Sequence, residues 1–439
     1  MDHAHRDRPL THHGRFIDGL DAVSDDACYR AMDFLLDALD QIQQQVFFSV
    51  ANVLNLEVDL VFFDTTSTFW HTETADGAPL AAAAESDAAA DDGARAEESA
   101  VRTFGHSTDH RPDLPQVVIG MAVTREGIPV RLWTFPGDTS DQVLIRTVKD
   151  DLRAWQLHRV IWVLDRGFTS EANRRYLQRA GGSYILAEKL RGASQEAAAA
   201  LSRQGRYQTV AGNLRVKQVR LDDGVARDRF SICHNPDQAR RDAAVRDDIV
   251  ARLAEAIADS DRHDPRARAE LAGRLKTKPA FNRFLRTTPT GKLRIDRTAV
   301  RRDAHHDGKY LLRTPDESLT PADIADAYKS LYQAERGWRD LKTTQINLRP
   351  VFHHKDERIQ AHVQLCWLAL LLLRVAEHAA GDTWRNMRDE LDRLHLVTLA
   401  TADGEVAQRG QLTPTQRALL RTLDLPEPPR FFDFTPTSS

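Results

Sequence analysis

Apolar residues recur at helical spacing from residue 28 onward: Cys28, Tyr29, Met32, Leu35, Leu36, Leu39, Ile42, Val46, Val50 and Val53. This predicts one long amphipathic helix, with Ser24 and Asp25 offering its start. The pattern then changes to a β-rich run, LEVDLVFFDTTSTFW, read as a buried strand with Asp64 near its C-terminal end. Two apolar stretches, 116–123 and 128–135, flank the turn Thr124-Arg125-Glu126-Gly127 and predict a strand pair. A helix is expected from Asp141, a central strand over 158–165 ending in Asp165, a helix over 170–180 and a strand over 183–187. Strand, hairpin, helix, strand, helix, strand describes an α/β layer on a mixed sheet. Open α/β sheets place their chemistry at strand C-terminal ends, which singles out Asp64 and Asp165.

Residues 190–305 interrupt this alternation. NLRVKQVRL and DRFSICH alternate around Asp222-Asp223-Gly224, a hairpin signal, and Val245, Ile249, Leu253 and Ile257 space as a helix. A strand over 308–314 precedes a helical stretch over 321–342, with Thr320 as N-cap and Pro321 in the first turn. Residues 356–380 are apolar nearly all round, as in a buried helix. The tail, 384–439, holds two shorter helical patterns and a Pro-rich end, and no internal repeat is visible.

Composition narrows the class. A chain of 439 residues suggests about two to three domains. With 41% hydrophobic and 28% charged residues, it can bury a sizeable core. The net charge of −4 offers no global attraction for a polyanion, yet residues 266–316 carry 14 Lys/Arg against 5 Asp/Glu, a local +9. That segregation favours a nucleic-acid-facing surface over a merely solvated face. Three cysteines exclude a disulfide scaffold or a four-Cys zinc site and suit a reducing compartment. The longest apolar run there, 365–373, is too short to span a bilayer, and residues 1–23 are polar and His-rich, unlike a signal peptide. The expectation is a cytoplasmic protein without a membrane partner. Residues 76–98, with seven acids and one Arg, are expected to form a disordered acidic loop.

Carboxylates ending apolar strands are costly unless paired, hydrogen-bonded or metal-bound. Two neighbouring ones can share a divalent cation, and Mg²⁺ takes few hard oxygen ligands beside water and phosphate. Glu335 is the candidate third acid. Tyr328 and Lys342 lie seven residues to either side, so on one helix all three would share a face suited to a phosphodiester. An ordinary charged surface helix fits the same spacing equally well. His353, His354 and His362 lack a good fourth ligand for zinc. Trp338 could stack on an extruded base.

Taken together, FFDTTSTFW, GHSTDHRPDLPQVVIGMAV with GIPVRLWTFPGDTSD, VLDRGFTSEANRRYL, and YKSLYQAERGWRDLKTTQINLRPVFHHKDERIQAHVQLCWLALLL resemble the DDE transposases of the insertion-sequence family 4 type, 1634-like branch. The resemblance spans about residues 27–430. It implies an RNase H-like core with a mixed five-stranded sheet, interrupted by an insertion domain and flanked by N- and C-terminal helices. On that reading 1–56 is an N-terminal segment and helix, 57–189 the first part of the core, 190–305 the insertion, 306–380 the rest of the core with the Glu helix, and 381–439 a helical tail. The resemblance implies Asp64, Asp165 and Glu335 as catalytic metal ligands for two Mg²⁺ ions, with Mn²⁺ able to substitute. It implies DNA strand cleavage and transfer at the ends of an insertion sequence. The partners implied are double-stranded DNA (inverted repeats and target) and a second copy in a homodimeric DNA complex near the bacterial nucleoid. Tyr328 and Lys342 match the family signature, while Leu331 stands where an Arg is usual. Arg336, Arg339 and Arg111 are candidate replacements or further DNA contacts. Only 63 residues precede Asp64, which keeps open a remnant that binds DNA without cutting it. A haloacid-dehalogenase-like phosphotransferase is disfavoured because Thr66 occupies the place of its second Asp.

Overall fold

The computed structural model describes residues 23–71, 101–105, 107–157, 160–221, 228–344, 346–349, 351, 353, 355–400 and 403–436. The expected acidic loop, the polar segment before residue 23, the turn at Asp222-Gly224 and His354 lie outside these residues. The strands in chain order are β1 Leu60–Phe69, β2 Gln116–Val123, β3 Pro129–Pro136, β4 Ile161–Leu164, β5 Ser183–Glu188, β6 Gln208–Ala211, β7 Leu214–Arg220, β8 Arg229–His234, β9 Leu285–Thr287, β10 Leu293–Ile295, β11 Lys309–Thr314, β12 Leu396–Ala400, β13 Gly404–Arg409 and β14 Phe431–Pro436. The chain divides into two compact units. The first holds the described residues up to Val58, 63–140 and those from Tyr332 onward; the second holds 59–62 and 141–331. Strand β1 contributes to both.

In the first unit, β1 lies beside β2, and β2 pairs antiparallel with β3. Gly127 closes the hairpin at φ +81°, a left-handed geometry glycine adopts without strain, while the Thr124 N–H donates to the Ile128 carbonyl at 2.9 Å. The single helix expected over 25–53 is two, Asp25–Asp37 and Leu39–Val53, separated at Ala38 where φ is −107° and ψ 12°. The helix Asp356–Ala380 buries Ile359, Val363, Trp367 and Leu370. By length and composition it could cross a membrane, but 56% of its apolar window is buried inside this fold. It also carries the buried Arg374. The tail adds a three-stranded antiparallel sheet, β12-β13-β14, that sequence reading missed. Every residue of β12 is exposed, so it carries no in-out alternation to read.

The second unit is built on a mixed sheet ordered β1-β4-β5-β11-β8-β7-β6. The Ile161 N–H donates to the Asp59 carbonyl at 2.9 Å, docking β4 beside the start of β1. β4 and β5 run parallel with Leu164 opposite Leu186; β11 is antiparallel to β5 and to β8. The sheet is therefore wider than the expected five strands. The physical reason is that β5 leaves a row of unpaired backbone groups, which β11 covers and β8, β7 and β6 continue. Strands within 208–234 thus extend the sheet. A separate small core of Leu253, Leu275, Phe281, Phe284 and Leu293 unites the helices Pro236–Ile257 and Pro265–Lys276 with the β9-β10 pair. The mixed α/β architecture with its large sheet is RNase H-like.

Arg313 on β11 is 2% exposed. Its Nε donates to Asp228 Oδ2 at 2.5 Å, its Nη1 meets Glu196 and lies 3.6 Å from Glu188, and the Tyr184 hydroxyl donates to Asp228 at 3.1 Å. Arg313→Met would leave the nearly buried Asp228 without its countercharge. We expect a loss of about 3–5 kcal/mol, read as a lower denaturant midpoint. Adding Asp228→Leu should recover most of it, since a buried pair replaced by packed apolar groups costs little.

Candidate active site

Asp64 follows four apolar residues, Leu60–Phe63, none more than 2% exposed. It is the fifth residue of the ten-residue β1 and not near the strand's end, as the sequence suggested. The threonine-rich continuation explains the difference: Thr66, Ser67 and Thr68 are buried, and the β-branched threonines favour the extended chain. Ser67 and Thr108 fasten this part of the strand to the segment before β2. The Ser67 N–H donates to Thr108 Oγ1 at 3.1 Å, and the Thr108 N–H returns a bond to Ser67 Oγ at 3.0 Å.

Lys342 sits against the same strand. Its ammonium donates to the Ser67 carbonyl at 2.7 Å and lies 3.4 Å from Asp109. Burial pushes its pKa down to about 8; the positive charge of Arg349 adds to the depression, while Asp109 and Asp64 oppose it. Arg349 donates to Asp109 Oδ1 at 3.0 Å, and its guanidinium lies 5.7 Å from the Phe69 ring. Arg111 lies 5.5 Å from that ring and is hydrogen-bonded to Asp113 at 2.8–3.2 Å, so its charge has a local structural partner. Ser67, Asp109 and Arg349 were not read as partners of Lys342. Asp109 lies in the motif stretch before β2, but nothing in its spacing from Lys342 points to the contact.

Glu335 and Lys342 do not share one continuous helix with Tyr328. The helix Pro321–Lys329 ends where the Ser330 N–H bonds both Asp326 and Ala327 carbonyls; a new helix, Tyr332–Arg339, then begins. Glu335 is in its first turn, where a negative charge is favoured by the helix dipole. Lys342 follows in a π-helical turn, Asp340–Thr344. The single helix expected over 321–342 is therefore interrupted at 330–331, and its last turn, from Asp340, is π-helical. Glu335 is exposed and makes no hydrogen bond or ion pair among the described residues.

A buried arginine and a partly buried glutamate fix this region. Arg374, 2% exposed, donates to Asp340 Oδ2 at 2.7 Å and Glu377 Oε2 at 2.6 Å. Glu377 Oε1 accepts from Arg336 at 2.6 Å and from the Trp384 N–H at 2.9 Å. Arg374 thereby ties down the turn of Lys342, and Glu377 the helix of Glu335. Arg336 is engaged in this network, whereas Arg339 is exposed. Trp338 is buried, with 6% of its surface accessible, and so is not placed to stack on a base.

In the second unit, Asp165 directly follows the buried Trp162–Leu164 at the end of β4, as expected. The Tyr328 hydroxyl donates to Asp165 Oδ1 at 3.1 Å, and the Tyr328 ring stacks on Tyr310 at 5.6 Å. Burial raises the Tyr328 pKa, reinforced by the Asp165 charge, so the phenol stays a donor at neutral pH. Arg166 Nε is 4.0 Å from the same oxygen. Asp165 is half exposed, and its Oδ2 accepts no hydrogen bond among the described residues.

Among the described residues, no three His, Cys, Asp or Glu side chains form a group arranged to hold a metal ion. Individually, Asp165 and Glu335 present carboxylate oxygens open to solvent, the hard donors that Mg²⁺ takes. In this RNase H-like fold one acid, Asp64, lies within the first strand and another, Asp165, directly follows the fourth. Residues 67–372 match the profile of the transposase DDE domain. The chain belongs to that family, and it is a DDE transposase by that membership. Asp165, Glu335 and Lys342 fall inside the matched span, and Asp64 lies three residues before it. No curated protein matches the chain.

Two outcomes test this geometry. In the free protein, the Lys342 ammonium should titrate near 8, against an ordinary lysine value of about 10.4, as read by NMR of ¹³C-labelled lysines with Lys342→Met for assignment. Its depressed folded value means that stability rises with pH from about 8 toward the unfolded value, because the unfolded chain binds more protons there. Second, Arg374→Met should cost about 3–5 kcal/mol by removing the buried charge that Asp340 and Glu377 share. Chemical denaturation measures it, and a loss below about 1 kcal/mol would contradict the role of Arg374 as a strut.

Proposed function

We propose that this protein is a DNA transposase of the insertion-sequence family 4 type, 1634-like branch, which cuts DNA strands at the ends of its element and joins them to target DNA. The observation that carries the reading is how the two residues flanking Glu335 are engaged. Tyr328 holds Asp165 by a 3.1 Å hydrogen bond, and Lys342 is held at β1 where the charge of Asp64 acts on it. Each therefore lies by one of the two strand acids.

Asp64, Asp165 and Glu335 would together hold two Mg²⁺ ions, with Mn²⁺ a substitute. Bound there, the ions supply an activated water or 3′-hydroxyl and stabilisation of the leaving oxygen. The chain's own residues do the positioning. Tyr328 fixes one oxygen of Asp165 and leaves the other free to ligate. Lys342 and Arg349 set two positive charges beside β1 for a phosphate, and Asp109 holds both in place. Arg339 and Arg111 remain candidate contacts to the DNA backbone; Arg336 serves through Glu377. We assign residues 57–189 and 306–380 to the catalytic core, 190–305 to an insertion, 1–56 to an N-terminal segment and helix, and 381–439 to a C-terminal tail of helices and the β12-β13-β14 sheet. Double-stranded DNA, a second copy of the chain in the DNA complex and a place at the bacterial nucleoid complete the reading.

The test is Mg²⁺-dependent cleavage of labelled DNA carrying the sequences that flank the gene. Wild type should cut at the element ends. Glu335→Gln, removing one ligand of ions worth several kcal/mol of barrier, should cut about three decades more slowly. Equal rates would remove Glu335 from the mechanism. Binding without cleavage by either protein would support the remnant in place of the transposase.

A further inference from the structure

The second unit contains a cleft of about 550 Å³ outside the residues assigned above. Its walls carry six Lys/Arg against three Asp, an excess of three positive charges. The strand order explains where they come from. β4 and β5 run parallel, so Arg166 and Lys189 emerge at the same sheet edge. β11 runs antiparallel with Leu311 opposite Glu188, which brings Lys309 to that edge as well. It is the edge that ends in Asp165.

The acids of the cleft do not neutralise these three cations. Asp303 is held by Arg191 at 2.6 Å and faces Arg283 at 3.7 Å. Asp307 pairs with the nearly buried Arg246, and Asp242 accepts from the Gly308 N–H at 2.8 Å. Lys189 and Lys309 have no ion-pair partner among the described residues, and Arg166 lies 4.0 Å from Asp165. Like charges gathered at one rim repel unless an anion lies among them. The lining contains no Phe, Tyr or Trp and only two apolar residues, Leu190 and Val245. It therefore offers charge for phosphates and no platform on which bases would stack.

We propose that this cleft seats the sugar-phosphate backbone of the DNA strand running beyond the phosphate at Asp165, with Lys189 and Lys309 each meeting a phosphate. The proposal rests on the transposase reading above. It extends the substrate contact from the acids into residues 189–309, which gives part of the basic stretch at 266–316 a defined ligand.

The experiment is equilibrium binding of full-length protein to a flanking-end duplex across a range of KCl concentrations. Each phosphate contact contributes about 0.9 to the steepness of log K against log salt. Lys189→Ser with Lys309→Ser should therefore flatten the slope by about 2, while Lys189→Arg with Lys309→Arg should keep it. Lys189 is exposed, so Lys189→Ser alone should fold and flatten the slope by about 1, giving a test if the double variant does not fold. A wild-type slope retained in the serine variants overturns the cleft and leaves the transposase reading standing. A wild-type protein whose DNA binding does not depend on salt overturns both.

Discussion

A carboxylate placed in an apolar strand must be met by something, because desolvating the charge alone costs more than the strand can return. Much of the described site follows from that constraint. Asp165 ends a buried run and is met by the Tyr328 hydroxyl. Asp64 interrupts one, with Lys342 held at the neighbouring Ser67 carbonyl. Each donor is held in turn: Tyr328 by its stack on Tyr310, and Lys342 by Asp109, which Arg349 also engages. The buried Arg374 and the partly buried Glu377 meet the same demand at a second remove, and their partners are the turn of Lys342 and the helix of Glu335. Packing energy is thereby spent on orientation, which is what a site acting on a phosphodiester requires.

The strands that bury both faces were legible because they read as continuous apolar runs: β1, β2, β4 and β5 all announce themselves this way. The hairpin β2-β3 was legible from its Gly127 turn. β12 was not, since an exposed strand stabilised by backbone pairing leaves no hydrophobic period. The width of the sheet was hidden for another reason: the sequence shows β7 and β8 but not whose edge they cover, and the short, mostly exposed β6 went unread.

The acids themselves were legible from chain position, and their partners were not. Asp64, Asp165 and Glu335 stood out as carboxylates in apolar or motif-like surroundings. The links Lys342–Asp109, Arg374–Asp340 and Tyr328–Asp165 span 233, 34 and 163 residues, and no local spacing rule reaches that far. The break at Ser330 shows the converse error. Seven-residue spacing is evidence of a shared face only while the helix continues, and here hydrogen bonds to Asp326 and Ala327 end it.

The central claim is that Asp64, Asp165 and Glu335 act as one metal-holding set. Mn²⁺ binding followed by electron paramagnetic resonance tests it directly, using full-length protein with and without flanking DNA. The account predicts binding by wild type that weakens at least about tenfold in each of Asp64→Asn, Asp165→Asn and Glu335→Gln. Equal Mn²⁺ affinity in all four proteins would contradict it.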